Sequence, residues 1–279
     1  MNGLDPLGTL IKNAFETIER HGRNVNFGMS AGEFAMFAEE NELSDDAIRA
    51  ICLLLEYLSI KKDETTIRTL LKLSKLPMKA PKTFENFDFS VIKGKDVEKL
   101  RNLPTLSAIY ANKNLAFIGP AGTGKTHLAQ AFGYECCKQG LKAYFIKMTE
   151  LRDRLTNARK AGRVASVIQG LVNPSCLIID EVGHCEFDKE NTRLFFDLID
   201  RRYQKEGASN IVFTSNKNPA QWRENFNEDD ALLCALDRIF DDATVFTIKG
   251  ESFRGKGLET IALHAGRLKA PKSSEIPTI

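Results

Sequence analysis

The stretch Gly119-Pro-Ala-Gly-Thr-Gly-Lys-Thr126 fits the pattern G-x-x-x-x-G-K-[ST] without a mismatch. Asn114-Leu-Ala-Phe-Ile-Gly119 leads into it and reads as a buried strand. His127-Leu-Ala-Gln-Ala-Phe-Gly-Tyr-Glu-Cys-Cys137 leads out and reads as a helix. Strand, glycine loop and helix are the context in which this pattern holds a phosphate. The glycines leave backbone N–H groups free to curl around the anion. The helix N-terminus adds its positive dipole end. The residues expected to hold a nucleotide are therefore Gly119, Pro120, Ala121, Gly122, Thr123, Gly124, Lys125, Thr126 and the adjoining His127. Lys125 is expected at the β- and γ-phosphates of ATP, and the Thr126 hydroxyl on Mg²⁺. The bland alternative is a plain glycine turn, which the flanking strand and helix disfavour.

From about residue 83 onward, short β-rich runs alternate with helical ones. They cover 115–119, 142–147, 175–180, 210–214 and 244–248. Five such runs predict an α/β fold with a five-stranded parallel sheet covered on both faces. Ligands of such sheets bind beyond the C-terminal strand ends, where the glycine loop lies. Residues 4–75 read as helical throughout. Leu7, Leu10, Ile11, Ala14, Phe15 and Ile18 recur at helical spacing, and Gly22 stops the run. Ser30-Ala-Gly-Glu33 forms a capping box for a second helix. Ser44 opens a third with Ile48, Ile51, Leu54, Leu55 and Leu58, and residues 63–75 form a fourth. Pro77 and Pro81 then end the helical region.

The chain has 279 residues, 43% of them hydrophobic, enough for one large domain and a small one. There is no apolar run of about 18 residues, so no membrane span is expected. No basic segment followed by an apolar stretch opens the chain, so no signal peptide is expected and the cytoplasm is the expected location. Cysteines 52, 136, 137, 176, 185 and 234 form no C-x-x-C pair, and the four histidines have no ligand spacing. Reduced thiols and the absence of a zinc site follow as expectations. The net charge is only +2, but it is unevenly spread. Residues 138–163 carry eight Lys/Arg against two acids, and residues 249–272 carry six against two. Residues 176–245 carry fifteen acids against eight bases. A basic face for phosphate is one reading, and solvated helix surfaces are the other.

Cys176-Leu-Ile-Ile-Asp180-Glu181 is an apolar strand ending in two acids, about fifty residues after the loop. Asp180 is expected beside the Mg²⁺ as its ligand, and Glu181 as the base that polarises an attacking water. Ile211-Val-Phe-Thr-Ser-Asn216 is another apolar strand. Asn216 is expected at the γ-phosphate or the water, with a polar strand cap as the alternative. Arg238 and Arg254 are candidates to stabilise charge on a γ-phosphate of a neighbouring subunit. Salt bridges to nearby acids are the alternative. Arg152, Arg159 and Arg163, spaced by seven and four, are expected on one helical face. With Lys160 they could neutralise DNA phosphates without reading sequence.

Together these residues resemble the IstB family, ATP-binding helpers of insertion sequences that pair with an IstA transposase. The resemblance is carried by Leu70-Leu-Lys-Leu-Ser-Lys-Leu-Pro77, Lys82-Thr-Phe-Glu-Asn-Phe-Asp-Phe89, the glycine loop and Leu177-Ile-Ile-Asp-Glu-Val-Gly183. Thr214-Ser-Asn216 and Ile248-Lys-Gly-Glu-Ser-Phe-Arg254 complete it. That family is similar in turn to the DnaC and DnaA class of AAA+ proteins. The resemblance implies an AAA+ P-loop core with a reduced or absent C-terminal lid. It divides the chain into helices (1–76), a linker and adenine-flanking segment (77–90), an ATPase domain (91–257) and a tail (258–279). Phe87, within Phe84–Phe89, would flank adenine. Asn216 would be sensor 1, Arg238 the trans arginine finger and Arg254 a sensor-2-like residue. The region 150–163 would face DNA. The implied function is an ATPase that oligomerises with ATP on duplex DNA, with little sequence preference, bends it and recruits an IstA-type transposase. A DnaC-like helicase loader is the alternative. A metabolic kinase would need an acceptor site and a lid, and neither is evident in the sequence.

Overall fold

The computed structural model describes residues 6–92, 94, 96–226, 236–241, 243–250 and 252. The five apolar runs become strands β1 (Leu115–Ile118), β2 (Ala143–Lys147), β3 (Cys176–Val182), β4 (Asn210–Ser215) and β5 (Thr244–Thr247). They form one parallel sheet in the order β2-β3-β4-β1-β5. Side chains alternate between its faces, so each strand feeds two cores. Leu177, Ile179, Ile211 and Phe213 enter one core. Cys176, Ile178, Val212, Leu115 and Phe117 enter the other. Being buried on both sides, these strands read as continuous apolar runs, which is the sign of a parallel sheet.

Three helices cover the first face: α7 (Met148–Lys160), α8 (Val164–Val172) and α9 (Lys189–Tyr203). α6 (Lys125–Lys138) covers the second, with the short helices α4 (Val97–Arg101) and α5 (Ser107–Tyr110) beside it. Arg202 on α9 fastens the strand entry points. Its buried guanidinium donates to the carbonyls of Leu171, Val172, Pro174, Ser175 and Asn210 at 2.6–3.1 Å. Burial pushes its pKa down to about 10.

Ahead of the sheet stand α1 (Pro6–Asn24), α2 (Ala31–Glu40) and α3 (Asp45–Leu73). The capping box at α2 is formed: Ser30 Oγ accepts from Glu33 N, and a Glu33 carboxylate oxygen accepts from Ser30 N at 2.7 Å. Ile18, Phe34, Ala38, Ile48 and Leu55 make a small separate core. The expected break between a third and a fourth helix is not there. Residues 59–66 contain no glycine or proline, and helix propagation costs little where nothing opposes it. α3 therefore runs for 29 residues, and Leu70 and Leu71 near its end join the core around α6. Just past α3, Ser74 O accepts from Phe145 N at 2.7 Å, which covers the outer edge of β2. No described helix is long and apolar enough to cross a membrane.

Candidate functional site

The site is built around the C-terminal ends of β1, β3 and β4, with the end of β2 beside them. The chain leaves β1 through Gly119 and enters α6 at Lys125. A Cβ at Gly119 would lie 2.0 Å from Ile248 O. Gly124 takes φ +89°, and a Cβ there would lie 2.8 Å from the Phe87 ring. Only glycine fits both places. The loop opens on a cleft of about 350 Å³ lined by Lys82, Ala121, Gly122, Gly124–His127, Gln130, Glu181 and Thr214–Asn216. Lys125 is buried, with Nζ donating to Pro120 O at 2.6 Å. Thr123 Oγ1 donates to the same carbonyl at 2.9 Å.

Asp180 is 1% exposed at the end of β3. Its Oδ1 accepts from Thr126 Oγ1 at 2.8 Å and from Thr214 Oγ1 at 2.5 Å. A hydroxyl and a buried carboxylate thus meet at the mouth of the loop. Hard oxygen donors in this pairing fit Mg²⁺. Next to them β3 bulges: Ile179 pairs with Phe213, but Val182 pairs with Ser215, one residue out of step. Glu181 absorbs the extra residue with φ +61°. A side chain in the left-handed region is strained by about 1 kcal/mol or more and persists only where its surroundings hold it. Here the hold is Thr214, whose Oγ1 accepts from Glu181 N at 3.0 Å. The bulge turns the Glu181 carboxylate to the cleft, where Lys147 Nζ at the end of β2 pairs with it at 3.0 Å.

On the loop's other side, Phe87 packs edge-to-face on His127, ring centroids 5.1 Å apart, and on Phe89 at 4.9 Å. The His127 ring nitrogen Nε2 meets Thr83 O at 2.9 Å. Burial, reinforced by the charge of Lys82, holds this imidazole below its ordinary pKa of 6.5. Phe87 stands behind Gly124 and is not among the cleft-lining residues; Lys82 and His127 are. Asn216 is exposed and lines the cleft.

The remaining expected residues lie elsewhere. Arg238 Nε pairs with Asp200 at 3.2 Å, and its guanidinium lies 5.2 Å from the Phe196 ring. It borders a small cavity with Asn114 and Asn210, at the strand ends opposite the loop. Arg254 falls outside the described residues, as does the stretch after residue 252 to which the expectation of a reduced or absent lid applies. The basic residues do not share one helical face. α7 ends at Lys160, Gly162 turns the chain with φ +63°, and Arg163 begins α8 as its N-cap. Arg159 is held by both Asp188 carboxylate oxygens at 2.9–3.0 Å and by Asn191 Oδ1. Arg152 pairs with Asp153, while Lys160 and Arg163 are exposed. The structure adds Thr214 and Lys147 to the site. Thr214 lies in a stretch that signals the family, but no motif gives it a role.

A family model described as IstB-like ATP binding protein matches residues 20–260. An insertion-sequence IS5376 protein of Geobacillus stearothermophilus, named as ATP-binding, is 38% identical over 201 residues, 72% of this chain and 78% of its own. An IS21 counterpart from Pseudomonas aeruginosa is 34% identical, covering 74% of this chain and 76% of its own. Among solved structures, AMPPCP-bound DnaA from Aquifex aeolicus aligns with TM-score 0.51 at 21% identity, over 63% of this chain and 51% of its own. The DnaI structure aligns with TM-score 0.51 at 18% identity, over 65% of this chain and 95% of its own. These structures share the AAA+ fold with the chain.

Proposed function

The chain belongs to the family of IstB-like ATP-binding proteins, and from that premise we propose that it is a Mg²⁺-dependent AAA+ ATPase that assembles on duplex DNA and serves an IstA-type transposase. The observation that carries the chemistry is the meeting of Thr126, Asp180 and Thr214 at the mouth of the loop, with Glu181 on the adjoining bulge. Mg²⁺ supplies charge neutralisation on the phosphates when bound. Thr126 and Asp180 are the residues that would hold it. The loop N–H groups and Lys125 bind the triphosphate, Asn216 fixes its γ end, and Glu181 takes the proton of an attacking water. Lys125 leaves Pro120 O when phosphate enters, because an anion is the stronger partner for an ammonium.

Arg238 stands at the far end of the strands from its own loop, so any contact with a γ-phosphate is made in a neighbouring subunit. The nucleotide then acts as the joint between subunits, and hydrolysis loosens it. Lys160 and Arg163, exposed around the Gly162 turn, are the DNA-facing cations of this reading. Arg159 is committed to Asp188 and is not one of them. The contact with duplex is to phosphate, and so largely independent of sequence.

Light scattering of the full chain with ATP, Mg²⁺ and duplex is expected to show large assemblies. Lys125→Ala is expected to show none and to lose ATP binding in calorimetry. Monomers only, from a wild-type chain that binds ATP, would overturn the assembly reading. Recovery of a replicative helicase instead of a transposase on the immobilised full chain would turn the function to helicase loading.

A further inference from the structure

The segment that joins the helical region to the sheet brings a cation to the cleft. Leu76 and Phe84 are buried in the core around α6, so the chain between them is tied down at both ends. Between these anchors a turn fixes the backbone on either side of Lys82. Asn86 Nδ2 donates to Pro81 O at 2.9 Å, and Asn86 Oδ1 accepts from Thr83 N at 3.0 Å. An asparagine that bonds the backbone of its own turn holds that turn in shape. Thr83 O meets His127 Nε2 in the first turn of α6 at 2.9 Å. Lys82 is thereby held beside the phosphate loop. It is exposed, and it lines the cleft together with Gly124–His127 and Gln130.

The carboxylates around Lys82 are already taken. Glu85, three residues on, pairs with Lys138 at 3.0 Å. Glu181, also on the cleft, pairs with Lys147 at 3.0 Å. Asp180 is buried and accepts from Thr126 and Thr214. Lys82 has no hydrogen-bond or ion-pair partner among the described residues. The other lysine lining the cleft, Lys125, is buried and donates to Pro120 O. His127 adds no charge at neutral pH, because burial and the charge of Lys82 hold its pKa below the ordinary value. An anchored backbone thus presents an uncommitted ammonium to a cleft built for phosphate. A triphosphate with one Mg²⁺ is still an anion, and a charge-assisted contact to it repays the freedom that a lysine side chain loses on binding.

We propose that Lys82 is a second phosphate-binding lysine of the cleft, reaching the nucleotide from the joining segment while Lys125 reaches it from the loop. The proposal rests on the ATP-binding reading and adds to it a contact from outside the strand, loop and helix. An ammonium is a compact charge on a flexible stem, so the contact is a single charge-assisted hydrogen bond and not a fixed fork.

The test is calorimetry of the full chain with Mg²⁺ and AMPPCP, which is not hydrolysed during the titration. Lys82→Met keeps the stem, removes the charge and is expected to raise the dissociation constant about tenfold. Lys82→Arg keeps the charge and is expected to bind within about threefold of wild type. The gap between wild type and Lys82→Met is expected to shrink several-fold between about 0.05 M and about 0.5 M NaCl, because an exposed contact is screened. Thermal unfolding without nucleotide is expected to coincide for all three proteins, since Lys82 has no partner to lose. Equal affinity of wild type and Lys82→Met at low salt would overturn the proposal. So would a loss that Lys82→Arg does not recover or that salt leaves unchanged, since either marks an altered turn and not a lost charge. A wild type that takes up no AMPPCP would refute the proposed function and this contact with it. Uptake by wild type that is undiminished in Lys82→Met would refute the contact alone.

Discussion

Replacing Thr214 by valine should disable the site without touching the nucleotide loop. Thr214 is 2% exposed, and valine has nearly its shape, so no cavity forms. What is lost is one hydroxyl with two partners. It donates to Asp180 Oδ1 at 2.5 Å and accepts from Glu181 N at 3.0 Å. A hydrogen bond to a charged group contributes about 1.5–3 kcal/mol, and an orphaned N–H costs about 1–3 kcal/mol. The two share one oxygen and do not add fully, so a loss of about 3 kcal/mol is expected. His184 N still donates to the Glu181 carbonyl at 3.2 Å, but the Glu181 N–H loses its partner, so the bulge at φ +61° relaxes toward an ordinary strand. Its carboxylate then moves by about the 1 Å that can cost 100-fold in rate. Urea denaturation measures the first quantity and phosphate release the second. The expected result is kcat down about 100-fold with KM for ATP within about threefold, because the loop is intact. Thr214→Ser keeps the hydroxyl and should recover most of the rate. Hydrolysis by Thr214→Val within about threefold of wild type would refute the reasoning.

Three further perturbations examine other residues of the site. Glu181→Gln should bind ATP as tightly as wild type in calorimetry yet hydrolyse it at least about 100-fold more slowly; near-normal turnover would remove Glu181 as the base. Lys147→Met breaks an ion pair whose side chains are 50% and 40% exposed, so stability should shift by less than about 1 kcal/mol. The freed Glu181 should raise phosphate release a few-fold, and a large fall would show that Lys147 orients the carboxylate instead. His127 is held neutral by burial, so its folded pKa lies below the unfolded value of 6.5. The unfolded chain therefore binds the proton first. The stability tied to this neutral ring is complete above pH 6.5 and is lost as pH falls through the lowered pKa. NMR titration should find the His127 ring changing charge below pH 6.5, and His127→Asn should flatten the pH dependence of stability in that window.

The sheet was legible because burial on both faces gives each strand a continuous apolar run. The bounds expected for four of the five strands agree with Leu115–Ile118, Ala143–Lys147, Asn210–Ser215 and Thr244–Thr247 to within a residue. β3 runs two residues further than expected, to Val182, because the bulge lets Asp180 and Glu181 stay in the strand while changing where they point. In sequence α3 reads as two helices because its apolar residues change face near Ser59. Above that point they serve the small helical core, and below it the core around α6. A change of partner looks like a change of element when only periodicity is read. The arginine face failed for the opposite reason. Spacings of seven and four imply one face only on an unbroken helix, and Gly162 turns the chain between Arg159 and Arg163.

Within the site, the legible residues were those fixed by their own segment: the glycine loop, and the acids closing an apolar run. Thr214 bonds both acids and Lys147 pairs with Glu181, yet each lies 33 or 34 residues from its partners in sequence. Their role depends on which strands are neighbours, and no local pattern encodes that. β3 lies between β2 and β4, with Lys147 in register with Asp180 and Ser215 with Val182. In such a sheet the last residues of the two flanking strands must border those of the middle one, whatever their sequence separation. The acids at the end of β3 then have two sources of control: a hydroxyl from β4 that sets the backbone, and an ammonium from β2 that sets the charge. The hydroxyl is buried and bonded to both acids, out of reach of ions in the surrounding solvent. The ammonium is half exposed, so an anion approaching from solvent can compete with Glu181 for it. Charge at the edge of the cleft is therefore the variable part of this site, and the hydroxyl is the constant part.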